Sequence, residues 1–318
     1  MLHTPTIHVA RDATHLAWDP AIPPVATVSS GDIVGFDCLD ASNGQLTADS
    51  VTADLETLVF DQVDQVSGPV EVAGAEPGDS LQIDILELEP ADWGWTANIP
   101  GFGLLADDFP APFYKVTEVP GPTGLAEYWP GIHVPLAPFC GEMGVAPLTG
   151  PLSTIPPDVH GGNMDTRHLV AGSTLFLPVF VPGARFSIGD GHATQGDGEV
   201  CGTAIETPMR ATVRLTVRKD VHVSGPEFLA APDPNAELRS GRRYATDGIA
   251  PDLLTAARDA LRRMIDWLGR EHGLSAVEAY LLCSVAVDLR ISEIVDVPNF
   301  VVTAHCPLGM FDSVLRAD

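Results

Sequence analysis

Ser80-Leu81-Gln82-Ile83-Asp84-Ile85-Leu86-Glu87-Leu88 alternates polar and apolar residues over nine positions, with one break at Ile85-Leu86. In extended chain, successive side chains point to opposite faces, so this stretch reads as a strand with one face buried and one wet. Shorter runs of the same kind lie on either side: Ala26–Val28, Asp32–Phe36 and Val70–Val72 before it, Leu175–Val181, Ala184–Ile188, Cys201–Glu206 and Met209–Arg218 after it. A turn unit recurs at Ser30-Gly31-Asp32, Pro77-Gly78-Asp79 and Ala171-Gly172-Ser173, each leading into a strand. The pattern predicts a mainly β protein, with a β-sandwich, jelly-roll-like body over residues 1–220.

The chain changes character after Pro251. Leu253, Leu254, Ala257, Leu261, Met264, Ile265 and Leu268 recur at helical spacing, and Gly273 supplies a stop. Ser275 and Glu278 have the spacing of a capping box for a second helix, running to about Val287. Ile291–Val297 and Val301–Ala304 read as closing strands. Residues 221–318 are therefore expected to form an α+β part with a helical hairpin, packed on the body as one unit. Within the body, residues 91–157 are rich in proline, glycine and aromatic residues. Such an arm either covers the sandwich or forms a lid or pocket wall.

Composition limits the function. A net charge of −26, with lysine only at Lys115 and Lys219, argues against a nucleic-acid partner. No apolar run reaches membrane-spanning length and no secretory leader is visible, so a cytoplasmic location is expected. The five cysteines are odd in number and form no C-x-x-C pair, as expected of reduced thiols.

The chemistry concentrates in Gly189-Asp190-Gly191-His192-Ala193-Thr194-Gln195-Gly196-Asp197-Gly198-Glu199. Glycine and aspartate are both poor in strands, so a loop is predicted. On extended chain Asp190 and His192 point the same way and can grip one ion. Mixed nitrogen and oxygen donors suit zinc or another divalent transition metal better than magnesium or calcium. Glu199, Asp197 and Glu142 are candidate proton shuttles. The competing reading is a glycine-rich turn whose aspartates accept backbone N–H bonds, with His192 on the surface. His160-Gly161-Gly162-Asn163-Met164-Asp165 is a second candidate, separated from the first by one predicted hairpin, and a plain turn is its alternative. Asp37-Cys38-Leu39-Asp40 is a third acidic cluster, from which Asp40 could reach a site. No nucleophile elbow, phosphate loop or positioned lysine is found, so hydrolysis here would use metal-activated water.

These motifs carry a resemblance. Gly68–Val72 with Gly74–Asp79, Pro138-Phe139 with Gly141 and Gly144–Ala146, Gly161–Asp165, Gly189–Glu199 and Ala286–Ser292 together resemble the acetamidase/formamidase family, in order and over most of the chain. The resemblance implies a cytoplasmic homo-oligomer that hydrolyses formamide or acetamide, with divalent metal held within the two most specific motifs. On that basis Asp165, Asp190 and His192 are expected to hold the metal, zinc first and calcium as a second or structural ion. Glu199 and Glu142 are expected to act catalytically, and Asn163, Gly162 and Gln195 to bind the amide. Two alternatives stand beside it: a hydrolase of a larger amide or carbamoyl compound, and a non-catalytic β-sandwich binding protein with a structural calcium.

Overall fold

The structure, a computed structural model, describes residues 3–232, 241–295 and 297–311. The alternating stretch lies at the middle of a six-stranded sheet. Ser80–Pro90 pairs with Met209–Arg218 on one side and Thr174–Pro178 on the other. Asp32–Cys38 and Ile7–Val9 extend the first side and Glu227–Leu229 the second, so the sheet takes one strand from beyond residue 220. Leu81, Ile83 and Ile85 are buried, as the alternation requires. The register shifts at Thr212/Val213, leaving Leu86 as an extra residue between the pairings of Ile85 and Glu87. That bulge returns Leu88 to the buried face after two adjacent apolar residues have broken the period.

A second sheet packs against the first. Its order is Gly161–Asn163, Phe139–Gly144, Phe186–His192, Val66–Val72 and Thr14–His15, with Ala26–Val28 also paired to Val66–Val72. Val34, Phe36, Ile83 and Leu215 from one sheet share a core with Phe139, Met143, Phe186 and Ile188 from the other. The rings of Phe36 and Phe186 meet edge to face at 6.0 Å. Full burial of each such side chain stabilises the sandwich by about 1.5–3 kcal/mol.

The C-terminal part follows its local signals closely. The helix Leu253–His272 starts at Asp252, whose carboxylate accepts from the Thr255 N–H at 2.8 Å, and ends where Gly273 turns left-handed at φ 70°. Ser275 and Glu278 close a capping box on the helix Ala276–Ala286. From Ala279 to Ala286 that helix is buried all round. It sits in a second core with Tyr128, Val134, Leu136, Cys201 and Ile205, which ties the C-terminal part to the body. The closing sheet is Arg243–Ala250, Phe300–Pro307 and Asp288–Glu293 in that order. Its last strand starts three residues earlier than the sequence predicts.

Residues 91–157 include two strand pairs, Trp93–Asn98 with Phe113–Glu118 and Leu125–Trp129 with Ile132–Pro135, and Trp95, Ile99 and Phe102 of this arm line the cavity described below. Two other expectations are corrected. Cys201–Glu206 is a turn with isolated bridges from Glu206 to His192 and Trp95. Gly189–His192 is strand, the end of Phe186–His192, and all four residues are buried. Glycine is tolerated there because neighbouring backbone occupies the side-chain space: a Cβ at Gly189 would lie 2.6 Å from the Gln65 carbonyl, and one at Gly191 2.5 Å from that of Thr207. All five cysteines are buried free thiols. Among the described residues no helix is long and apolar enough to cross a membrane.

Candidate active site

The two motif turns meet, and a strand between them brings them together. Thr174–Pro178 lies in the first sheet and Phe186–His192 in the second, so the predicted hairpin does not form. Instead Phe139–Gly144 pairs with Gly161–Asn163 along one edge and with Phe186–His192 along the other. Gly141 lies on that middle strand. A Cβ on it would lie 2.5 Å from Asp165 Oδ1 and closer still to Asp190 Oδ2. The bare backbone of Gly141 is what lets the two carboxylates converge.

A cavity of about 460 Å³ opens at this point, lined by Asp64, Asn163, Asp165, Asp190, His192, Gln195, Glu199 and Glu206 among others. His192 Nε2 lies 3.0 Å from Asp190 Oδ2, 3.1 Å from Glu206 Oε2 and 3.7 Å from Glu199 Oε1. The ligating atoms of Asp165, Asp190 and His192 fall within 4.8 Å of one another, as do those of His192, Glu199 and Glu206. Donors bound at about 2.0–2.1 Å around a tetrahedral ion sit about 3.3 Å apart. The spacings around His192 bracket that value.

Backbone strain gathers at the same place. Asp64, Asp165, Asp190 and Glu199 all have positive φ, between 39° and 54°. Few residues other than glycine adopt this region, and the cost is of order 1–3 kcal/mol each. Four strained carboxylates in one cavity mark a place where side-chain direction has been kept at the expense of local comfort.

The electrostatics agree. Burial, and then Asp190, pushes the Asp165 carboxyl up to about 7. Burial raises Glu206 to about 8 against the pull of His192. Glu199 is raised well above its usual range by burial and then Asp165, and Asp64 by burial and then Asp190. On His192 burial opposes the charge, but Asp190 and Glu206 outweigh it and lift the imidazole well up. Asp190 is held low because His192 outweighs its burial. One imidazole cannot balance this many carboxylates, and a divalent cation would.

Each sequence-derived candidate has a definite place. Asp165, Asp190, His192 and Glu199 share the cavity with Asn163 and Gln195. Gly162 lies in the strand beside Glu142–Gly144. Gln195 Nε2 donates to the Asp165 carbonyl at 3.0 Å, while Gln195 Oε1 and Asn163 Oδ1 are buried with no hydrogen-bond partner. Glu142 is fully buried beneath this layer and does not line the cavity; burial, and then Asp64, holds its carboxyl well above the usual range. Asp197 is engaged elsewhere: it accepts from Arg167 Nε at 2.7 Å. Asp40 accepts from Trp95 Nε1 at 3.0 Å and so fixes a cavity wall. Glu206 and Asp64 escape the sequence reading. Glu206 carries one local signal, a lone carboxylate closing the apolar run Ala204-Ile205, while Asp64 sits among acidic and amide residues with none.

The chain is similar to known proteins over most of its length. The model of the acetamidase/formamidase family matches residues 4–153 and 149–313. The formamidase of Methylophilus methylotrophus is 28% identical, over 95% of this chain and 90% of its own. Among solved structures, a γ-lactamase from Delftia acidovorans superposes with a TM-score of 0.88 at 27% identity, covering 95% of this chain and 90% of that one. An acetamidase from Bacillus halodurans gives 0.67 at 31% identity, over 95% and 97%.

Proposed function

The chain belongs to the acetamidase/formamidase family and hydrolyses short-chain linear amides to ammonia and the carboxylate, and we propose that it does so at the cavity around His192 with a divalent cation. The observation that carries this reading is the convergence of carboxylates from several separate segments on one imidazole inside one cavity. The donor chemistry fits: Asp165, Asp190 and His192 would hold the ion, and Glu206 offers a further carboxylate to the same imidazole. Nitrogen with several oxygens favours zinc or a similar divalent transition metal. When bound, such an ion would acidify water and polarise the amide carbonyl.

The chain's own residues supply the rest. Glu199 is 17% exposed and faces the cavity, so its carboxylate can take the proton of the attacking water and return it to the departing nitrogen. Asn163 and Gln195 line the cavity beside these acids, and a turn of either side-chain amide would present its oxygen to the N–H groups of a primary amide. Trp95, held by Asp40, closes one side against water. Buried free thiols suit a cytoplasmic enzyme. The exposed apolar side chains Ile291, Ile294, Val295 and Val297 suit a homo-oligomer, which sedimentation of the purified protein would check.

Metal analysis of the purified protein with an ammonia-release assay tests the reading. We expect one transition-metal ion per chain, loss of formamide and acetamide turnover on chelation, and recovery on adding zinc. Calcium alone with no ammonia release would reverse it. Glu199→Gln in loaded protein should lose at least about a hundredfold in kcat, and unchanged turnover would remove Glu199 from its role.

A further inference from the structure

The cavity has a chemically mixed lining. Carboxylates gather around His192. Leu58, Phe60, Ile99, Phe102, Ile155 and Met164 give the same cavity a large apolar wall. A liquid water occupies about 30 Å³, so 460 Å³ is far more than formamide or acetamide fills. Their one- and two-carbon acyl groups would leave the apolar wall wet.

That wall is built rather than left over. Phe60 is 41% exposed, and its ring meets that of Phe102 edge to face at 5.8 Å. Neither ring belongs to the apolar clusters that form the cores. Phe102 is flanked by Gly101 and Gly103, both at positive φ, which turn the chain around it. Its ring lies flush on Gly202: a Cβ at that position would sit 2.6 Å from Phe102 Cε1. A large aromatic pair that lines the cavity and lies outside the apolar clusters is surface that an apolar ligand group would cover.

We propose that this apolar wall is an acyl-group subsite, and that the enzyme takes primary amides whose acyl part is a compact apolar chain or ring of about four to eight carbons. The proposal rests on the amide-hydrolase reading of the same cavity. The reaction is unchanged: the oxygen of water joins the carbonyl carbon, the C–N bond breaks, and the nitrogen leaves as ammonia with the proton water gave up. The apolar wall adds binding to the acyl group, and so raises kcat/KM for the longer substrates.

Ammonia release by metal-loaded protein across formamide, acetamide, butanamide, hexanamide and phenylacetamide tests it. Each buried methylene is worth about fourfold in kcat/KM, so hexanamide should exceed acetamide by tenfold or more. Phe60→Ala and Phe102→Ala should each lower the hexanamide-to-acetamide ratio about fivefold or more, with thermal melts confirming that the variants fold. The exposure of Phe60 makes its truncation safe for the core. A steady fall in kcat/KM beyond acetamide, or a ratio that neither variant moves, overturns the subsite while leaving amide hydrolysis intact. Absence of ammonia from every amide overturns the hydrolytic reading, and the subsite with it.

Discussion

Gly141 and Asp190 face each other across adjacent strands, and the Asp190 carboxylate fills the space that a side chain at 141 would need. The Asp165 carboxylate reaches the same space from the other neighbouring strand region. Gly141→Ala should therefore push both acids apart while leaving the ladder hydrogen bonds in place. A displacement of about 1 Å at reacting groups costs on the order of a hundredfold. We expect that loss in kcat/KM for formamide, with reduced metal content and a cooperative melt. Full activity in Gly141→Ala would show that the two carboxylates have room to move and that their convergence is not required.

Glu142 separates burial from catalysis. It is fully buried, neither carboxylate oxygen has a hydrogen-bond partner, and it does not line the cavity. Its carboxyl is held up first by burial and then by Asp64. A folded pKa above the unfolded value of about 4.3 means that the native state binds the extra proton, so stability is lost as pH rises above that value. Glutamine mimics the neutral acid. In metal-free protein, Glu142→Gln should melt at or above the wild-type temperature, and its advantage should widen between pH 5 and pH 8. With metal it should keep turnover within about tenfold. A thousandfold loss of kcat would return Glu142 to a chemical role.

The C-terminal helices were legible because their signals are local. The apolar period, the Asp252 and Ser275 caps and the Gly273 stop need no partner to be read. The acid–imidazole turns were legible as donor sets, since their residue types are unusual together. Their geometry was not. Gly189–His192 looks like loop because strand propensity presumes side chains that pack, whereas this strand is pressed between the Gln65 and Thr207 carbonyls. The strand Phe139–Gly144 as the joint between the turns, and the arrival of Glu206 and Asp64, are tertiary facts with no period in sequence.

Protons must leave when the ion enters. Without metal, Asp165 is raised to about 7 and Glu206 to about 8, both chiefly by burial. Below those values the carboxyls hold protons that compete with a cation. Affinity should therefore rise with pH through the window from about 6 to 8, by up to tenfold per unit for each proton released. The metal-free protein should show the opposite trend in stability. Its raised carboxyl pKa values favour the native state at low pH, and that benefit is lost progressively as pH rises from about 4 to about 7 for Asp165 and about 8 for Glu206. Calorimetric titration of chelated protein with zinc, in two buffers of different ionisation heat, counts the protons at pH 6.5. Zero proton release, or an affinity flat from pH 6 to 8.5, would place the ion away from Asp165 and Glu206.

Arg167 links the site to the C-terminal part. Its Nε donates to Asp197 at 2.7 Å and its Nη2 lies 3.2 Å from Asp288. Arg167 is 8% and Asp288 2% exposed, so the second pair is buried. Asp288 Oδ1 also accepts from the Asp197 N–H at 3.3 Å, Leu289 N–H donates to the Asp197 carbonyl at 3.0 Å, and Gly196 N–H donates to the Ser284 carbonyl at 2.8 Å. The segment Gly196–Glu199, and with it Glu199, is thus clamped from both sides. Asp288→Asn removes the more deeply buried of the two carboxylates on Arg167, which keeps Asp197, so it should cost about 1–3 kcal/mol of stability. Asp197→Asn, at a side chain 30% exposed, should cost less, about 1 kcal/mol or under. A purely structural role would leave kcat unchanged well below the melting temperature. A role in holding Glu199 predicts that kcat for acetamide falls in Asp288→Asn while KM stays within about twofold, because the lost alignment acts in the transition state rather than on binding. A change in KM alone would assign the clamp to substrate binding instead.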